Sequence, residues 1–409
     1  MKKSILNWMF AAVVAIAGMT MASCSSSDDN GGGGNESAYG VPSDDKAGTA
    51  PSVTVAESNV TIPNISAPSV ESGTSGKIGN ITFTGVKGID GEFMDLVGTG
   101  ADAQNIWMTI DGKAKSLAIV NGDEVTRAAK KGLADIVFIV DNSGSMSDEA
   151  NALAEQIISW SKVIAETVDA RFGCVGYGWH VGAQYTYLVD NYGIAGGLNM
   201  TTVENLHAFL NREGKYGVDR TYEWAGSDAT KLAEEAAKDD WSKAGGENGS
   251  QAIQFADKFF NFRDGANRIY INFTDDYNFH AGLDRISVEV FNPANDPKTW
   301  TADQGTIHSV LSPWRNKEVY EKTGPSEGYS EWPGLMSQYT GGIVIYADQY
   351  YTDFTLNDIE VTAAIVSSYI LRFNITDDLK KGTHDIELII KDKKGSKAKK
   401  VFKDVEFSL

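Results

Sequence analysis

The chain is 409 residues long, 42% of them hydrophobic, with nine Trp, two Cys and a formal net charge of −19. That length fits two or three domains with real cores. Two cysteines exclude a disulfide framework. A surface this acidic excludes nucleic acid and anionic lipid headgroups as partners, and suits divalent cations or basic groups.

The first residues, "MKKSILNWMFAAVVAIAGMTMASC", place two lysines before a short apolar run and end on small residues and Cys24. This is the layout of a secretory signal over 1–23. The run is too short for a spanning helix, which needs about 20 apolar residues. "MASC" resembles the lipobox of bacterial lipoproteins. That resemblance implies a lipid on Cys24, and Ser25 after it implies the outer membrane, with the chain at the cell surface. Membrane contact is then expected through the lipid anchor alone. Cys174 sits in the apolar stretch "RFGCVGYGW" and reads as a small buried hydrophobe. Residues 24–77 begin "CSSSDDNGGGGNES" and stay rich in Ser, Thr, Gly and Pro. They are expected to form a disordered tether.

Over 78–130 the pattern turns to short alternating runs, "NITFTGV", "EFMDLVG", "NIWMTIDGK" and "SLAIVNGDE", broken by Asp-Gly and Asn-Gly pairs. These predict strands and hairpins. Residues 370–409 behave alike, through "SYILRFNI", "THDIELIIKD" and "SKAKKVFKDVEF". Each segment is short for a sandwich, so the two are expected to pair into one small β-sandwich. The lysines of the last strands read as guards of a sheet edge.

Residues 131–369 follow another grammar. "DIVFIVD" is a continuous apolar strand of the kind buried on both faces of a parallel sheet. Leu153, Ile157, Trp160, Ile164 and Val168 then mark one face of a helix. "FGCVGYGW" and "AQYTYLV" predict strands, and "TTVENLHAFL" a helix. Ile253, Ala256 and Phe260 stripe another helix, widened by Phe255 and Phe259, and it leads into strand "NRIYINFTDD". "GTIHSVLS" and "GGIVIYAD" are late strands. Helix "LNDIEVTAAIV" closes the region with Leu356, Ile359, Ala363 and Val366 inward. The fold class is α/β: a doubly wound, mostly parallel, Rossmann-like sheet inserted into or flanked by the small sandwich.

In such a sheet, ligands bind beyond the carboxyl ends of the strands. Three loops should meet there: "DNSGSM", "GGENGSQAI" and "FTDD". They bring Asp141, Ser143, Ser145, Glu247, Asp275 and Asp276, all hard oxygen donors, which select Mg²⁺, Mn²⁺ or Ca²⁺ over zinc or copper. Asp141, Ser143 and Ser145 alternate along their loop and can turn to one side, with Gly144 permitting the tight turn. Ser147, Asp148 and Glu149 read as the cap and first turn of the following helix.

"DNSGSMS" after "DIVFIV", followed in order by "GGE" and "TD", resembles the von Willebrand factor type A (VWA) domain over 131–369. The resemblance implies a metal-ion-dependent adhesion site. There the two serines hold Mg²⁺ directly, the first aspartate acts through water, and an aspartate of the third loop completes the shell. Carried over, these roles fall on Ser143, Ser145, Asp141 and Asp275. A partner's carboxylate fills the open position. Where the family usually has threonine in the middle loop, this chain has Glu247. The shell then sums to −3 against +2, so firm cation binding is expected with weaker capture of an acidic ligand.

A serine nucleophile would need a base and an orienting group. The five histidines, His180, His207, His280, His308 and His384, form no recognisable triad motif. The expected function is therefore binding rather than catalysis. The chain reads as a surface lipoprotein that holds a protein or glycan partner through a divalent cation. A scaffold in envelope or pilus assembly is the alternative, and a hydrolase a lesser one.

Overall fold

The structure is a computed structural model. It describes residues 40–71, 74–121, 133–141, 143–146, 149–177, 194–211, 213, 247–279, 287–296, 299–312, 330–347, 356 and 360–409. The leader, Cys24, Ser147, Asp148, His180, His280 and the stretch "AQYTYLV" lie outside these residues.

Chain order runs β1 (Ser69–Val70), β2 (Ile78–Phe83), β3 (Ile106–Ile110), β4 (Lys113–Lys115), β5 (Ala118–Val120) and β6 (Leu133–Asp141). Then come α1 (Glu149–Thr167), β7 (Asp169–Tyr177), β8 (Ile194–Thr201), α2 (Val203–Leu210), α3 (Gly249–Phe259), β9 (Asn267–Thr274) and β10 (Asn278–Phe279). The chain closes through β11 (Thr306–Leu311), β12 (Ser330–Glu331), α4 (Gly334–Thr340), β13 (Val344–Tyr346), α5 (Glu360–Val366), β14 (Tyr369–Asn374), β15 (Lys381–Lys391) and β16 (Lys397–Ser408).

Among the described residues, six strands form the central sheet in the order β13-β11-β9-β6-β7-β8. All neighbours are parallel except β7 and β8, which are antiparallel. The strand β6 explains the arrangement. Ile136, Phe138 and Val140 point into one core with α1, α2 and α5. Val137 and Ile139 point into another with α3 and α4. A strand apolar on both faces is stable only with helices on both sides. The α1 stripe Leu153, Ile157, Trp160, Ile164 and Val168 is buried, as is Cys174. Asp135, wholly buried near the start of β6, is held by Arg263, whose Nε donates to Oδ1 at 2.8 Å and whose amide donates to Oδ2 at 2.7 Å.

Two antiparallel four-stranded sheets, β1-β2-β14-β5 and β16-β15-β3-β4, pack face to face over one core. Strands from before and after the central sheet are neighbours in both. Asp111 and Gly112 both take positive φ (49° and 74°), the turn an Asp-Gly hairpin demands between β3 and β4.

Three expectations differ. The tether expected over 24–77 is shorter in the described part. Val41, Val53, Ile62 and Ile65 are buried, and Ile62 and Ile65 join the sandwich core, because isolated apolar residues in a polar-looking stretch find a wall to pack on. "EFMDLVG" forms no strand beyond a single bridge between Lys87 and Phe93. Over its described residues, Glu360–Val366, the last helix turns Val361, Ala364 and Ile365 inward, while Ala363 and Val366, expected inward, are half-buried; Leu356 is buried as expected, and Ile359 lies outside the described residues. Its inward face is fixed by Thr362, whose Oγ1 accepts from Trp160 Nε1 at 2.6 Å. Among the described residues no helix is long and apolar enough to cross a membrane.

Candidate metal centre

The carboxyl end of β6 delivers Asp141, 1% exposed, into the space above the sheet. Its carboxylate is fixed from two sides. The Ser143 amide donates to Oδ1 (2.9 Å) and the Thr274 hydroxyl donates to Oδ2 (2.7 Å). Ser143, 3% exposed, and Ser145 place their Oγ atoms 2.9 Å apart. Ser145 then donates to Asp275 Oδ1 at 3.1 Å, across 130 residues of sequence. The first and third loops therefore meet as the sequence spacing anticipates.

The middle loop arrives with α3. Asn248 caps that helix, its Oδ1 accepting from the Gln251 amide at 2.9 Å. A Cβ at Gly249 would sit 3.0 Å from Asn272 Oδ1 and 3.1 Å from the Tyr177 hydroxyl, so a larger residue there would press on the side chains of β7 and β9. Glu247 stands just before that positive helix end and hydrogen-bonds with Asp276.

The electrostatics are those of crowded acid. Burial first, and the Asp275 carboxylate second, push Asp141 up to about 7. Burial, then the charges of Asp141 and Asp276, push Glu247 up to about 9. Carboxylates are raised this way when like charges share a poorly hydrated space. A divalent cation among them would remove the cause. All the facing atoms are oxygens, a donor set that suits Mg²⁺, Mn²⁺ or Ca²⁺. Among the described residues, no three His, Cys, Asp or Glu side chains are placed as a ready-made metal cage. The candidate set is instead a mixed one, two hydroxyls with carboxylates around them.

Sequence reasoning missed Thr274 and Asn278. Thr274 orients Asp141, and its Oγ1 accepts from the Asp276 amide at 3.1 Å. Asn278 Oδ1 accepts from the Ser250 amide at 3.0 Å, tying the third loop to the start of α3. Thr274 was within reach: it is the last residue of a strand, directly before Asp275. Asn278 has no local signal. Among the described residues no histidine touches Ser143 or Ser145. His308 is buried and pushed down to about 3 by that burial, with its Nδ1 accepting from the Ile343 amide. His207 meets Ser161, and His384 pairs with Asp111.

No protein-family model matches the chain, and no curated protein matches it. Solved structures resemble it loosely. The human COPII-coat protein Sec24c aligns at 11% identity over 72% of this chain and 46% of that one, with a TM-score of 0.29. Proximal thread matrix protein 1 from the mussel byssus aligns at 12% identity over 58% and 47%, with a TM-score of 0.27. The pilus adhesin SpaC from Lactobacillus rhamnosus GG, in its open conformation, aligns at 8% identity over 80% and 47%, with a TM-score of 0.31. This chain spans about half the length of each of the three. At these scores the likenesses decide neither family nor function.

Proposed function

We propose that the chain is a lipid-anchored, outer-membrane surface protein whose α/β domain is of the VWA type. In this reading it takes a divalent cation, Mg²⁺ first, on Ser143, Ser145 and Asp275, with Asp141 and Glu247 adding charge. Through that cation it holds a protein or glycan partner. The observation that carries the reading is the meeting of Ser143, Ser145 and Asp275 beside the raised carboxylates of Asp141 and Glu247, at the carboxyl end of a mostly parallel sheet. The cation supplies a positive centre that attracts oxygen ligands. The chain's own residues position it: the Thr274 hydroxyl and the Ser143 amide hold Asp141, and the Asn248 cap sets the start of α3 beside Glu247.

Thermal unfolding of the purified chain in EDTA, Mg²⁺ and Ca²⁺ tests this. A cation at 100 times its dissociation constant adds about 2.7 kcal/mol, which for a domain of this size is a rise of roughly 5–10 °C. No rise, or an equal rise in a Ser143→Ala, Ser145→Ala variant, overturns the reading.

A further inference from the structure

The sandwich has a cleft of about 480 Å³ that uses none of the loops of the candidate cation site. Its walls come chiefly from residues 90–97, 103–107 and 391–394. Asn105 fastens the three together. Its Nδ2 donates to the Asp95 carbonyl (2.8 Å), its Oδ1 accepts from the Val97 amide (2.7 Å), and its carbonyl accepts from the Lys391 amide (2.9 Å). Asp90 and Lys394 close one end as an ion pair at 2.7 Å. Asp392 Oδ1 accepts from the Ser396 amide at 2.7 Å and stiffens the hairpin between β15 and β16. The walls are set before a ligand arrives, which lowers the ordering cost of binding.

The groups left over in this cleft are chemically specific. Trp107 lies on the outward side of β3, between buried Ile106 and Met108, and stays half-buried. Among the described residues its indole N–H meets no acceptor, and the exposed carboxylates of Glu92 and Asp95 and the ammoniums of Lys391 and Lys393 make no hydrogen bond or ion pair. Phe93 adds a second half-buried ring.

An anion would face Glu92 and Asp95, and a cation would face the lysines. A purely apolar ligand would desolvate four charges with nothing in return. A sugar ring matches all of them. Its C–H face packs on the indole, while each hydroxyl donates to a carboxylate or accepts from an ammonium. The volume lies within the range of small-ligand sites, about 300–1,000 Å³. We propose that this cleft is a saccharide-binding site, with Trp107 as the platform and Glu92, Asp95, Lys391 and Lys393 reading the hydroxyls.

The site is independent of the cation, so the test is run in EDTA, where failure here and failure of the cation reading stay distinct. An array of neutral and amino-sugar oligosaccharides is probed with the mature chain, and the best-retained sugar is then titrated by calorimetry. Retention is expected, with roughly tenfold weaker binding in Trp107→Ala. Trp107→Phe should keep most of the affinity, and Ser143→Ala, Ser145→Ala all of it. If Trp107→Ala lowers Tm, the surface pair Glu92→Gln, Asp95→Asn replaces it and is expected to weaken binding likewise. No retained sugar, retention indifferent to both variants, retention abolished by EDTA, or Trp107-dependent selection of peptides from a random library in place of sugars each overturns the proposal.

Discussion

Glu247 is crowded by burial and by the charges of Asp141, Asp276 and Asp275. Its carboxyl is raised to about 9 and that of Asp141 to about 7. A raised carboxyl binds its proton more tightly in the folded chain than in the unfolded one, so stability falls as pH climbs. The loss starts near the ordinary carboxylate values and runs up to the folded ones. The cation-free chain in EDTA should therefore lose Tm steadily between about pH 4.5 and pH 9, and Mg²⁺ should stabilise it more at pH 8 than at pH 5. Glu247→Gln in EDTA should raise Tm at pH 8 by roughly 3–8 °C and leave it nearly unchanged at pH 5. Differential scanning fluorimetry across that range checks both, and a flat Tm in EDTA would show that the acids are not crowded in solution. With a cation bound, Glu247→Thr should strengthen capture of a carboxylate ligand, because the cation is then less neutralised.

At the scale of elements, two features set stability away from the site. The turn after α4 uses Gly341 at φ 84° to end the helix, and Gly342 follows where a Cβ would lie 1.9 Å from the Ile307 carbonyl oxygen. That neighbour is backbone of β11 and cannot swing aside. Gly342→Ala should cost about 2–4 kcal/mol, read as a lowered urea midpoint. The second feature is Lys400. It lies opposite Leu388 on the core side of β16, between buried Ala398 and Phe402, and donates to the Ile62 carbonyl and Asn64 Oδ1, both at 2.9 Å. Burial pulls its ammonium down to about 7. A lowered amine penalises the folded state fully below that value, and the penalty fades as pH rises toward the ordinary lysine value. Lys400→Met should thus gain on the native chain as pH falls from 10 to 6, measured by urea unfolding at each pH. An inward charge also spoils an edge strand for pairing with other chains.

The elements read best from sequence are those whose signal is local. The α1 stripe, the two-faced apolar β6 and the Asp-Gly turn at 111–112 each carry their own pattern. The strand β8, "IAGGLNMT", does not. Its glycines hide the alternation, and it is a strand because β7 offers it a free edge. Ile62 and Ile65 are single apolar residues in a polar-looking run, and only the finished sandwich shows that they have somewhere to go. The site divides in the same way. Asp141, Ser143, Ser145 and Asp275 follow from loop order on a parallel sheet, whereas the Asn278 contact to α3 depends on where a turn happens to fold.

For the whole molecule, the central sheet is an insertion between strands that belong together. β5, from before it, pairs with β14, from after it, and β14 also pairs with β2. Cleavage at a protease site engineered between residues 121 and 133 should leave both pieces co-eluting on gel filtration, and they should part only in denaturant. Separation under native conditions would mean that the sandwich does not hold without the continuous chain.

The clasp at β14 has a mechanical side. Ser367 and Ala364, at the end of α5, bond and abut the loop after β2, with the Gly85 amide donating to the Ala364 carbonyl at 2.8 Å. A pull on the central sheet passes through α5 into β14. That strand is gripped on both sides, by β2 and by β5, and leaves only when both ladders give way. A sudden pull is in this way spread over two rows of hydrogen bonds, those of β14 with β2 and with β5.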